Sequence, residues 1–374
     1  MTKAILVFLS LVLLTGCWDQ MPLRKLRMVD MVGLDLGEND RGVVLENVVT
    51  RLKKAGQGEG EPQSETTEFK NSSVLEAVGQ SEYVESGPFI NINTRLYLMS
   101  DRFAMHDPVK ELAFLLRAPY TIINSPVVIF EGSVTQLFKK GQTDTESLIE
   151  FVRLLDKNRI LRNVSMMKLI LSKADPLEDL ALPLLGPSDS GVKLRGALLF
   201  RQGRSTGRKL DDDQVRMLAL LSGVYQGRQR FTGKLAESDI GEHSMQDLPN
   251  SVPYGFSVKR GNTKIQISPR SDGMPNITLQ IRLQLNAFYL GQEVQSIKAD
   301  YVSQMEKALS KHLENKAMQT IENLQKANCD VLGIGNQIKA YHPNIWKSLD
   351  WRKDYSKLTI EPVFHVKILN PEEI

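Results

Sequence analysis

Apolar positions along this chain follow two rhythms, a period of two and a period near four, and the change between them sets out most of its elements. Val32, Leu34 and Leu36 alternate against Gly33 and Asp35, which predicts a strand over Val29–Leu36. The run from Gly37 to Gly42 supplies turn chemistry. Val43–Leu52 is then a second β-rich run, and the two predict a hairpin. Gly56–Thr67 is polar and reads as an exposed loop. Its glycines are not a phosphate cradle, because no apolar helix starts directly behind them and the local acids repel phosphate. Helices are expected over Val74–Val84 and Val109–Arg117, and strands over Leu96–Met99, Val127–Phe130 and Met166–Leu171. Thr143-Asp144-Thr145-Glu146 fits a capping box opening a helix that sets Leu148, Val152 and Leu155 on one face.

Leu182–Gly191, with Pro183, Gly186, Pro187 and Ser188, is the best domain boundary in the chain. Beyond it Val192–Phe200 reads as a strand, and Val252–Ser268 and Asn276–Tyr289 alternate as two more. From Ile297 the period lengthens. Tyr301, Met305, Leu309, Leu313, Ala317, Ile321 and Leu324 step mostly by four, one stripe of a long amphipathic helix. Val331–Tyr341 predicts a second helix stopped by Pro343, and Lys357–Leu369 returns to a strand pattern. The expected fold is α+β, multi-domain, with mixed sheets and a C-terminal β-β-α-α-β unit. Three parts are expected: a leader at 1–16, an N-terminal α+β region at 17–190 divisible into two subdomains, and a C-terminal α+β region at 191–374.

The leader changes the picture most. Lys3 precedes the apolar run Ala4–Leu14, and Thr15-Gly16-Cys17 follows. Such a run is too short for a helix that must cross about 30 Å of hydrocarbon, so it reads as a secretory signal. The ending Leu14-Thr15-Gly16-Cys17 resembles the bacterial lipobox. That resemblance implies cleavage before Cys17, a thioether to diacylglycerol on its sulfur and acylation of its new amine. Two or more acyl chains, at about 0.8 kcal/mol per buried methylene, give stable attachment where one chain does not. Arg24, Lys25 and Arg27 downstream suit either an anionic membrane surface or a solvated charge cluster.

Net charge is +3, and loss of Lys3 with the leader leaves +2. So even a balance gives no support to nucleic-acid binding, which needs cations concentrated along a phosphate track. With Cys17 acylated, Cys329 has no intramolecular partner and reads as a small buried hydrophobe.

Three stretches in order carry a second resemblance. Cys17-Trp18-Asp19 running into Val32-Gly33-Leu34-Asp35, then Gly196-Ala197-Leu198-Leu199-Phe200 with Gly207 and Leu210, then Asp330-Val331-Leu332-Gly333-Ile334-Gly335 followed by Trp346, resemble the spore germination lipoprotein family, the C-type subunit of germinant receptors. The chain departs from the family at Pro22, where an acid is usual, and at Arg117-Ala118-Pro119. The resemblance implies an α+β ectodomain on the outer face of the spore inner membrane. It would work there with A-type and B-type membrane subunits in the response to nutrients.

Catalytic chemistry is thin. The five histidines (His106, His243, His312, His342 and His365) show no helix-face metal spacing, and no Gly-x-Ser-x-Gly elbow occurs. Ser165-Met166-Met167-Lys168 matches the Ser-x-x-Lys of acyl-transfer enzymes. In the strand expected there, however, the two side chains point to opposite faces. Asp211-Asp212-Asp213 reads as a helix cap rather than a metal site, since acids at a helix start satisfy free amides. Arg201, Arg204, Arg208 and Lys209 read as a solvated hairpin tip, and Trp346 and Trp351 as packing anchors for the last strand. No catalytic, cofactor or metal residues are therefore assigned. The expectation is a non-enzymatic, lipid-anchored receptor subunit. The alternatives are a solute-binding lipoprotein, which needs two similar lobes around a cleft, and an envelope hydrolase, which needs Ser165 and Lys168 to converge.

Overall fold

The computed structural model describes residues 27–52, 62–84, 89–139, 144–189, 191–224, 229–236, 240, 251–270, 273–291 and 299–369. The strands β1 (Arg27–Met28), β2 (Met31–Leu36), β3 (Val43–Leu52), β4 (Pro62–Asn71), β5 (Phe89–Ile90), β6 (Leu96–Ser100), β7 (Val127–Phe130), β8 (Asp179–Ser188), β9 (Gly191–Arg201) and β10 (Arg204–Leu210) come first. All but the small β1–β5 pair form one eight-stranded sheet in the order β10-β9-β8-β7-β6-β2-β3-β4. Its centre is parallel, through the pairings β2–β6, β6–β7 and β7–β8, and both flanks are antiparallel. Parallel strands need helices on both faces, and this sheet has them. Leu98 and Val128 pack on one side with Leu148 and Val152 of the helix Thr145–Lys157. Tyr97, Met99 and Ile129 face the other side, with Phe103, Val109, Met166 and Leu169.

A second sheet follows: β11 (Arg230–Ala236), β12 (Ser251–Pro269), β13 (Pro275–Leu290) and β14 (Thr359–Ile368), adjacent in that order. β13 and β14 are parallel, and the long helix Ala299–Lys326 lies in the connection between them. That helix buries Met305, Leu309, Leu313, Ala317 and Ile321 against Ile277, Leu279, Ile281, Leu283 and Leu285 of β13. The α+β class, the hairpin at the start and the C-terminal β-β-α-α-β order are as expected, with β11 an added edge strand. Ile297 lies outside the described residues.

Several local expectations are corrected. Met166–Leu171 is a helix, not a strand: Ser165 caps it, and Met166, Leu169 and Ile170 are buried at helical spacing. A short apolar run fits either element by periodicity alone. The polar stretch expected to loop through Thr67 contributes β4 from Pro62 onward, an edge strand bonded only to β3, while residues 53–61 lie outside the described set. Edge strands show one face to water, so a polar composition is compatible with pairing. Leu182–Gly191, with its prolines and glycine, lies within β8 and the turn into β9. The expected division at 190 thus falls inside a hairpin, and the first sheet runs on to Leu210. Asp144 caps the helix Thr145–Lys157 by accepting from Ser147 N at 2.9 Å, while Thr143 is outside the described residues. Pro343 does not end helical structure; it opens another short helix, Pro343–Ser348, where its missing N–H is harmless.

Candidate functional site: a polar joint between the two sheets

Where the large sheet meets the C-terminal unit, charged groups are buried together. Asp179 opens β8, and its carboxylate takes two bonds from the Arg352 guanidinium, 2.8 Å to Oδ2 and 2.9 Å to Oδ1. The side chain of Asp179 is 1% exposed and that of Arg352 22%. Arg352 also donates to the Pro176 carbonyl, and Asp179 Oδ2 accepts from the backbone N–H of Asp330 at 2.7 Å. Asp330 in turn accepts from Ile334 N at 3.0 Å and Gly335 N at 2.7 Å, so it caps the helix Ile334–Tyr341 from inside the core. Burial outweighs these bonds and pushes the Asp330 carboxyl up to about 7. The neighbouring Cys329 donates its S–H to the Phe200 carbonyl at 3.3 Å, and Tyr355 donates to the Cys329 carbonyl at 3.3 Å. Burial raises both the thiol and the phenol well above their ordinary ranges, so both stay protonated. Cys329 is therefore the buried, inert residue the sequence suggested.

The chemistry of this joint is that of a clamp. A bidentate arginine–carboxylate pair fixes geometry, and every acid in it is already committed to a donor. Beside it runs a groove of about 650 Å³ between the two sheets, walled by Leu180, Leu221 and Ile265 with Arg159 and Arg162 at its polar margin.

The sequence motifs resolve into architecture. Asp35 accepts from the Ser133 hydroxyl at 2.8 Å and from Val134 N at 3.0 Å, pinning the helix Val134–Lys139 to β2. A Cβ on Gly33 would lie 2.7 Å from the Phe138 ring. Gly196 has φ of 142°, and a side chain there would run into the Leu210 carbonyl, so the conformation and the close approach both require glycine. Gly335 has the Trp351 ring against it, 2.6 Å from where a Cβ would stand. Trp351 is buried between Trp346 and Tyr355, with ring centroids 5.8 and 5.3 Å away, an anchor as expected.

The remaining candidates are placed as follows. Asp211 forms a reciprocal capping box with Gln214, and Asp212 and Asp213 pair with Arg216 and Lys316. Arg204 pairs with Asp107 and Lys209 with Glu131, both at 2.7 Å, at the exposed β9–β10 hairpin. Arg27 is buried against Glu65 at 3.1 Å and over the Phe89 ring, so it is not a free membrane contact; Arg24 and Lys25 lie outside the described residues. Ser165 and Lys168 do stand one helical turn apart, contrary to the strand reading. Yet the Ser165 hydroxyl accepts from Lys168 N at 3.2 Å as a cap, and Lys168 Nζ is held by Glu178 at 2.8 Å. That is a capped helix start with a surface ion pair, not a nucleophile beside its base. Cys17 lies outside the described residues. Sequence reasoning missed Asp179 and Arg352, which sit 173 positions apart with no local pattern around either.

Comparison with known proteins fits this arrangement. The family described as spore germination protein N-terminal domain matches residues 19–187, and the family described as spore germination B3/GerAC like, C-terminal, matches residues 195–372. This chain belongs to the GerAC-like spore germination family. The sequence resemblance to germinant receptor C-type subunits is thereby borne out. Among relatives, spore germination protein KC of Bacillus subtilis is 20% identical, over 94% of this chain and 91% of its own length. Spore germination protein GerQC of Bacillus cereus is 21% identical over 98% of each. A crystal structure of the GerBC protein shares the fold, with a TM-score of 0.59 at 16% identity, covering 91% of this chain and 97% of that one. The two family regions together span residues 19–187 and 195–372, and the polar joint brings Asp179 of the first against Asp330 and Arg352 of the second.

Proposed function

We propose that this chain is a non-enzymatic subunit of a nutrient germinant receptor, tethered by lipid on Cys17 to the outer face of the spore inner membrane. There it acts through contacts with the A-type and B-type membrane subunits. The observation that carries the reading is the match of both germination family regions in order over residues 19–187 and 195–372. Two further features support it. The motifs quoted from the sequence are spent on caps, close approaches and a clamp, and the Ser165–Lys168 pair with catalytic spacing is occupied by a cap and an ion pair. Among the described residues no helix is long and apolar enough to cross a membrane, and the lipobox resemblance of Leu14-Thr15-Gly16-Cys17 supports attachment by lipid on Cys17. The two sheets differ in strand number and connection, so the chain does not build the paired similar lobes of a solute-binding module.

Replacing Cys17 tests the tether. Cys17→Ala should leave the protein uncleaved or released from spore membranes and reduce nutrient-triggered germination. Unchanged membrane association, with mass spectrometry showing an unmodified sulfur in the parent, would remove the tether from the proposal. Co-purification of the parent protein from spore inner membrane without any multi-span membrane subunit would remove the receptor contacts.

A further inference from the structure

The C-terminal sheet has one buried face, against the long helix, and one face open to solvent. Pairing register shows what stands on the open face. Arg260, Gln284 and Lys367 are abreast on β12, β13 and β14; the next row is Asn262, Arg282 and His365; the third is Lys264, Gln280 and Val363. All but Gln280 and Val363 are exposed. Neighbouring strands are about 4.8 Å apart and alternate residues on one strand about 7 Å, so Arg260, Lys264, Arg282 and Lys367 form a compact positive plate. None of the four makes an ion pair with a described residue. These three rows hold no acid, and Glu361 stands in the next row, opposite Thr278.

The same face carries an exposed aromatic. Gly255 lies between the inward, buried Tyr254 and Phe256, so its missing side chain would point outward, and the Phe288 ring occupies that space. Phe288 is 51% exposed and continues the face beyond Gln284 and Asn286.

We propose that this open face of the β12–β13–β14 sheet docks flat on an anionic lipid surface, with Phe288 entering the headgroup layer and the four cations on phosphates. The chemistry points to lipid rather than to an acidic protein. Protein interfaces have an apolar core from which lysine is depleted, whereas this face offers lysines, arginine forks and a single ring. Aromatic rings beside basic side chains are what an interfacial membrane contact uses. The pairing of cations with lipid phosphate is diffuse, so the open concavity of about 400 Å³ bordered by Arg260, Arg282, His365 and Lys367 on this face needs no closer fit than a headgroup layer offers. The inference extends the proposed tether, because a chain held at Cys17 would meet the bilayer a second time here.

The test uses protein extracted from host membranes. Phe288→Cys is labelled with a polarity-sensitive fluorophore, with the equally treated parent as blank; Cys329 is buried and does not compete. Vesicles of phosphatidylcholine alone are compared with vesicles containing phosphatidylglycerol. A blue-shifted signal is expected with phosphatidylglycerol only, weakening with salt. Arg282→Glu with Lys367→Glu should weaken it about tenfold or more, in both the Cys17 and the Cys17→Ala background. Equal signals on the two vesicles, no change on charge reversal with circular dichroism intact, or tighter capture of inorganic phosphate or polyglutamate than of vesicles would each overturn the proposal. The tether fails separately, by unchanged sedimentation of Cys17→Ala with phosphatidylcholine vesicles.

Discussion

The two sheets of this protein are built on opposite plans. The eight-stranded sheet is sandwiched, with apolar side chains on both faces at its centre: Leu98 and Val128 on one, Met99 and Ile129 on the other. The four-stranded sheet is covered once, with Ile277 to Leu285 inward and Arg282, Gln284, His365 and Lys367 outward. The sandwiched sheet has its surface committed to its own helices, while the half-covered one has a face to spare. That difference separates the part of the molecule that is scaffold from the part that presents chemistry. It also makes the junction between them, the Asp179–Arg352–Asp330 joint, the place where the two plans must be held in register.

The largest effect is expected at that joint. Arg352→Ala leaves the Asp179 carboxylate buried without its cation, which costs about 3–5 kcal/mol when a buried pair loses one partner. Calorimetry should show a lower Tm and, if the clamp is what couples the sheets, a split of one transition into two. By contrast Arg27→Ala opposes a Glu65 that is 49% exposed, so it should cost about 1 kcal/mol or less. Equal losses in the two variants would mean that burial of the acid is not what makes the joint matter.

Slightly smaller losses separate the sheets themselves. Leu98→Ala and Met99→Ala are adjacent in β6 but face opposite ways into different apolar clusters, so each should cost about 2–5 kcal/mol in chemical denaturation. Ile281→Ala in β13 belongs to the same class. If either Leu98 or Met99 proved nearly neutral, the sandwich description of the large sheet would fail on that side.

How much of this was legible follows the same division. In the half-covered sheet the alternation through Ile277, Leu279, Ile281, Leu283 and Leu285 states strand and inward face at once, and the four-residue stripe of the long helix is equally plain. In the sandwiched sheet strands such as Leu96–Ser100 and Val127–Phe130 are buried throughout and carry no alternation to read, and in Met31–Leu36 the alternation marks the strand although both of its faces are buried. A six-residue apolar run such as Met166–Leu171 then looks the same whether it is a strand or a capped helix turn. Prolines misled at β8, where Pro183 and Pro187 sit within a paired strand and not a linker. The caps at Ser73, Asp144 and Asp211 and the close approach at Gly196 rest on local chemistry, and the sequence carries such signals openly. The joint does not, because Asp179 and Arg352 meet only through the fold.

Within the joint, Asp330 supplies a pH-dependent prediction of moderate size. Its folded carboxyl is pushed up to about 7, against about 3.9 for an unperturbed aspartate. Between those values the folded state binds a proton that the unfolded chain has lost, so this group favours folding most below about pH 4 and its contribution falls as pH rises toward 7. The groups facing it are Asp179, Arg352, Cys329 and Tyr355. Asp330→Asn removes the titration while keeping one of the two oxygens that accept from the Ile334 and Gly335 amides. The parent should therefore lose on the order of 2–3 kcal/mol relative to Asp330→Asn between about pH 5 and about pH 8. Parallel stability curves for the two proteins over that range would show that Asp330 stays ionised in the fold.

The smallest effect sharpens the comparison most. Arg282 lies next to the core residue Ile281 in β13, yet it is exposed, with Asn262 and His365 as cross-strand neighbours and no described ion-pair partner. Arg282→Ala should change unfolding free energy by less than about 0.5 kcal/mol, since surface substitutions away from caps and networks do little. Removing one of four clustered cations even relieves some repulsion, so a slight gain in Tm at low salt, vanishing at high salt, is the expected sign. A residue that contributes nothing to folding while its neighbour contributes several kcal/mol is free to be kept for contact with something outside the chain. A loss of more than about 1 kcal/mol on Arg282→Ala would instead place this face among the structural surfaces of the molecule, and the contrast between a closed sheet and an open one would no longer hold.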